Sequence, residues 1–112
     1  MPKPLNRVTS RYALEAMTYL GQLIRHSRIG RKQTVAELAE RAGISRGLLQ
    51  RVEKGDPGCS IGAVFEVAAL VGIRLFDLDH ERLASNNQML ARTLTLLPRV
   101  SRPAGKPVKD DF

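Results

Sequence analysis

Gly43 stands between two hydroxyl residues that can each start a helix, Thr34 and Ser45, and this arrangement leaves the backbone between them little freedom. Thr34 is followed three residues on by Glu37, the spacing at which a capping hydroxyl and a carboxylate satisfy each other's orphan backbone donors. Leu38, Ala39 and Ala42 then supply a first helix with its apolar stripe. A residue without Cβ at position 43 takes the left-handed backbone that ends helices at no steric cost. Ser45 caps a second helix that buries Leu49, Val52 and part of Leu48, and that stops at Gly55. Two helices joined this closely cannot run antiparallel along their length. They cross steeply, with the small Ala39 where they approach.

In such helix-turn-helix geometry the second helix is presented outward, and its solvent face comprises Arg46, Gly47, Gln50, Arg51 and Lys54. Arginine forks onto O6 and N7 of guanine and glutamine onto adenine, while Gly47 lets the helix sink closer to a groove. An ordinary solvated face would use similar residues. The joint pattern of cap, alanine, glycine turn and core positions is what favours DNA base reading here.

Thr34 to Gly55, with LGQLIRHSR before it and SIGAVFEVAALVGI after it, resembles the Xre/Cro-type DNA-binding domain of phage repressors and bacterial regulators, over roughly residues 18 to 76. The resemblance implies an all-α fold, a compact helical bundle with the helix-turn-helix motif inside it. It implies that Ser45 and Lys54 touch phosphates, that Arg46, Gly47 and Arg51 read bases, and that Arg28 and Glu53 form an internal ion pair tying the first helix to the recognition helix. One departure stands out. The family usually has glutamine just after the cap of the first motif helix, as a phosphate ligand, where this chain has Val35. That contact is lost or moves to Gln33 or Lys32, beside Thr34. The loop from Gly55 to Ser60 is also less basic than in many relatives, with Asp56 where a cation is common.

A length of 112 residues suits one core that a partner would strengthen. The net charge of +7 favours a polyanionic partner, and by itself suits RNA or a membrane surface equally well. Cys59 is the single cysteine, so no intramolecular disulfide framework exists and a reducing bacterial cytoplasm, with the protein on the nucleoid, is the expected compartment. MPKPLNRV lacks an apolar signal core, and the greasy run from Ala63 to Val71 contains Glu66 and is too short for a bilayer about 30 Å thick. His26 and His80 lie too far apart to suggest a metal pair, and no cofactor is expected. No phosphate-cradling glycine loop and no evident base beside Ser45 or Cys59 point to catalysis. Cys59 beside the Ser60 helix start is read as structural, with a redox-sensing thiol as the alternative.

Along the chain, residues 1–8 form a basic arm with Pro2, Lys3, Pro4 and Arg7, expected to be flexible. Residues 9–78 form the DNA-binding domain. Its first helix starts at Thr9 or Ser10, repeats Leu14, Met17, Leu20 and Ile24 at helical spacing, and ends among Arg25, Arg28, Arg31 and Lys32, which complement the helix dipole and can meet phosphates. After a turn at Asp56 to Gly58, Ser60 caps a helix through Val71 whose Ile61, Val64, Phe65, Ala68 and Leu70 or Val71 face inward, with Phe65 as anchor. Gly72 ends it, and Ile73, Leu75 and Phe76 close the bundle.

Residues 79–97 read as a C-terminal helix in which Leu83, Asn87, Leu90, Leu94 and Leu97 make a heptad-like seam. The seam suits a homodimer with Asn87 fixing register; the rival view lays the helix on its own domain. TLTLL at Thr93 to Leu97 also alternates as a short strand would. From Pro98 to Phe112 a proline-rich, aperiodic tail is expected to be disordered. Asp110, Asp111 and Phe112 suggest a docking motif for a protein partner, against a solubilising tail or a second DNA arm through Arg99, Arg102, Lys106 and Lys109.

GDPGCSIGAVFEVAALVGIRLFD narrows the resemblance to HipB-like antitoxins, the regulators encoded beside HipA-like kinase toxins. Those antitoxins use a C-terminal aromatic on the toxin, typically tryptophan where this chain has Phe112. The resemblance implies an autoregulating repressor that binds double-stranded operator DNA and neutralises a HipA-like kinase. Alternatives are a phage or metabolic repressor without a toxin, a protein-binding scaffold and an RNA-binding module.

Overall fold

The computed structural model describes residues 9–98, and among them the chain is all-α. The basic arm of residues 1–8, and the tail beyond Pro98 with Asp110, Asp111 and Phe112, lie outside the described residues. The helices are α1 (Arg11–Gly30), α2 (Val35–Ala42), α3 (Arg46–Glu53), α4 (Ile61–Leu70) and α5 (His80–Thr95), with a short 3-10 turn at Leu75–Asp77. Internal contacts divide the molecule into two units, the first ending at Asp77 and the second beginning at Leu78.

The first unit is built around Ile24, Leu38, Ala39, Leu49, Val52, Val67, Ala68 and Val71, one cluster fed by α1 to α4. Burial of each large aliphatic among them stabilises the fold by about 1.5–3 kcal/mol. Ser10 caps α1 by accepting from the Ala13 amide at 3.1 Å. The apolar stripe of α1 is shorter than its spacing suggests, because Leu14 is exposed, Met17 and Leu20 are half-buried and Ile24 alone of the four is enclosed. A glycine supplies the close contact instead. A Cβ on Gly21 would lie 2.6 Å from the Val52 carbonyl oxygen and 2.7 Å from that of Glu53, so bare α1 backbone meets the end of α3.

In α4 the phase is set by Val67, Ala68 and Val71, at helical spacing, and the expected anchor Phe65 is only half-buried. Ile61, in the first turn of α4 and two turns before Ala68 on the same face, is nevertheless 69% exposed. Phe76 does not close the bundle either: it is 72% exposed and takes a left-handed backbone, φ +57°, followed by Asp77 at +60°. Its ring stands edge-on to Phe65, with centroids 6.3 Å apart, the favoured aromatic geometry.

In the second unit Asp79 caps α5, accepting from the Arg82 amide at 2.8 Å. The helix continues to Thr95, so Thr93 to Leu97 is not a strand. None of its 16 residues is buried.

Candidate nucleic-acid interface

The turn between α2 and α3 is held by local chemistry. Thr34 Oγ1 accepts from the Glu37 amide at 3.0 Å while Glu37 Oε1 accepts from the Thr34 amide at 2.9 Å, closing a reciprocal cap on α2. Gly43 has φ +70°, and the Ile44 amide reaches back to the Ala39 carbonyl at 3.0 Å. Ser45 Oγ then accepts from the Leu48 amide at 3.0 Å and starts α3.

The far end of α3 is held by charge. Arg28 Nε donates to Glu53 Oε2 at 2.7 Å and Nη2 to Oε1 at 3.0 Å, a two-bonded fork between side chains that are both buried. The hydrogen bond to Glu53 raises the Arg28 pKa, against the opposing effect of burial. Arg28 Nη1 also donates to the Gln33 carbonyl at 3.0 Å. One guanidinium on α1 thus fixes the loop entering α2 and the last turn of α3. Replacing such a pair by apolar residues is often harmless, but removing one partner strands a buried charge.

With both ends held, α3 turns Leu49 and Val52 into the core and leaves Arg46, Gly47, Gln50, Arg51 and Lys54 exposed. Ser45 and Thr34 are exposed at the two helix starts, and Lys32 is exposed in a left-handed backbone, φ +59°. Gln33 is half-buried, and its Oε1 is enclosed without a hydrogen-bond partner among the described residues. Arg25, expected in a basic helix end that can meet phosphates, joins the cleft beside α3. With Arg28, Val35, Gln50, Glu53 and Lys54 it lines an open depression of about 370 Å³. The signal was the interval between Arg25 and Arg28, which puts both on one helix face.

Arg51 is not a free cation. Its Nε donates to Asp56 Oδ2 at 2.8 Å, while Asp56 Oδ1 accepts from the Gly58 amide at 2.8 Å. The Arg51 hydrogen bond, followed by that from Gly58, holds the Asp56 carboxyl below the usual aspartate range.

In the second unit, Leu83 is half-buried, whereas Asn87, Leu90, Leu94 and Leu97 are exposed. Cys59 is a half-buried free thiol. Among the described residues no cluster of three or more histidine, cysteine or carboxylate side chains could hold a metal, and no helix is long and apolar enough to cross a membrane.

Residues 19–82, more than half of the chain, match a protein family described as a helix-turn-helix domain. No curated protein matches the chain.

Proposed function

The chain belongs to this helix-turn-helix domain family, and from that premise we propose that it is a sequence-specific transcriptional repressor acting as a homodimer on operator DNA. The observation that carries this reading is the pairing of a rigid back with an open front. Arg28 and Glu53 clamp α3 from behind, while Arg46, Gly47, Gln50 and Arg51 are exposed on α3, and side chains of these types can read base edges. Ser45 and Lys54, with Thr34, Lys32 and Gln33 at the α2 entry, supply the phosphate contacts that set register without carrying sequence information.

Dimerisation uses the seam of Leu83, Asn87, Leu90, Leu94 and Leu97. A two-fold pair spans half-sites about 34 Å apart, which a single module cannot do. The finer assignment is an autoregulating antitoxin of HipB-like type, supported by the stretch from Gly55 to Asp77 and by the aromatic Phe112. In that assignment Asp110, Asp111 and Phe112 dock on a HipA-like kinase, and deletion of the three abolishes kinase binding. Unchanged kinase binding after the deletion removes the docking role.

The deciding experiment measures binding to the protein's own upstream DNA against a scrambled duplex of equal length, at physiological salt, with stoichiometry. A preference of about a thousandfold or more, with two chains per site, is expected. Arg51→Ala should relax the preference at one base pair, whereas Lys54→Ala should weaken all sequences alike. Equal, weak binding to both duplexes overturns the repressor assignment.

A further inference from the structure

We propose that Asp56 is a positioning residue for base reading: set by its own turn, it holds Arg51 by Nε so that Nη1 and Nη2 are presented together to a guanine. The proposal rests on the DNA-binding reading above. An acid within this face is otherwise hard to reconcile with a phosphate-rich partner, since it repels the backbone that Lys54 would contact.

The geometry gives the acid a task. The Asp56 amide donates to the Arg51 carbonyl at 3.1 Å and the Cys59 amide to the Asp56 carbonyl at 3.3 Å, so a compact turn fixes the Asp56 backbone against the residue it serves. One carboxylate oxygen is committed to the Gly58 amide, 2.8 Å away, and the other to Arg51 Nε, also at 2.8 Å. Arginine has five N–H donors. Binding through Nε alone leaves the terminal fork, the part that matches O6 and N7 of guanine, unconsumed.

Gly58 completes the arrangement. A Cβ there would lie 3.2 Å from Arg51 Nη2 and 3.3 Å from Asp56 Oδ1, tighter than an ordinary contact. Glycine leaves the guanidinium and its carboxylate unpushed. An exposed ion pair contributes little to stability. What it changes is the ordering that a long side chain must otherwise undergo when the complex forms.

The test compares Asp56→Ala and Gly58→Ala with the wild type on the upstream duplex, on a scrambled duplex, and on operators altered one base pair at a time. Circular dichroism melts confirm that both variants fold. Asp56→Ala should bind scrambled DNA more tightly, because a negative charge is gone. It should nevertheless lose about tenfold in preference, at the same base pair where Arg51→Ala loses it. Gly58→Ala, with no change of charge, should lose preference at that base pair without gaining affinity for scrambled DNA. If Asp56→Ala raises affinity for every duplex alike and keeps the preference, Asp56 is only a repulsive charge and the proposal is overturned. Wild-type protein indifferent to the two duplexes overturns the repressor reading before any variant is measured.

Discussion

Helices α3 and α5 are both amphipathic, yet they meet their surroundings in opposite ways. The eight residues of α3 include three that are buried, Leu49, Val52 and Glu53. The 16 residues of α5 include none, and Leu90 and Leu94 remain 59% and 58% exposed. An isolated helix as short as α3 is unstable in water, so its order comes from tertiary packing and from the clamp at Glu53. The longer α5 keeps its apolar stripe exposed among the described residues. In the proposed dimer this stripe is the surface that a second copy covers. The contrast separates residues that hold the fold from residues on which the proposed dimer depends.

Removing a partner from the clamp tests the first half of that contrast most severely. Glu53→Ala leaves Arg28 buried and uncompensated and should cost about 3–5 kcal/mol in thermal or denaturant unfolding. Were the loss no greater than that of an exposed substitution, packing alone would account for α3. On the other side, Leu90→Ala should change the unfolding free energy of the monomer by less than about 0.5 kcal/mol, while shifting sedimentation from dimer towards monomer. A loss approaching the roughly 2–5 kcal/mol of a core truncation such as Leu49→Ala would make α5 a fold-holding element like α3, and the contrast would fail.

The smallest effect concerns Asp56, next to the clamped helix but only half-buried. Its carboxyl is held below the usual aspartate range by the Arg51 hydrogen bond and then by the Gly58 amide. A lowered carboxyl contributes stability above its unfolded value, near pH 4, and loses it as pH falls through the folded value. Wild type and Asp56→Asn should therefore differ slightly in melting temperature at neutral pH and converge in acid. A difference that persists in acid strong enough to protonate the carboxyl would assign it to something other than ionisation.

What could be read from the chain beforehand was the chemistry that acts over three or four residues. The reciprocal cap of Thr34 and Glu37, the left-handed Gly43, the Ser45 cap and the Asp79 start of the last helix all involve groups close along the backbone, where spacing alone dictates geometry. The pairing of Arg28 with Glu53 spans three elements and was legible through family resemblance. The phase of α4 was harder. Large side chains such as Phe65, Phe76 and Ile61 invite assignment to the core, but Val67, Ala68 and Val71 fill it and leave the aromatics at the rim. Gly21 gave no signal, since a glycine inside a helix adds nothing to apolar periodicity and its role exists only once α3 is laid against it. The Arg51–Asp56 bond crosses a helix end, where the path of the turn decides whether two charges meet.

The bare backbone of Gly21 against the carbonyls of Val52 and Glu53 has a consequence for descent as well as for folding. It seats α3 at its rear, away from positions 46, 47 and 50. Under the proposed base-reading role, point changes at those three positions can therefore redirect related chains to new DNA sequences without the scaffold having to be reinvented. A change at Gly21 has no such latitude, because any side chain there displaces the whole helix. Evolution can rewrite this protein's vocabulary one word at a time, provided it leaves one hydrogen atom where it is.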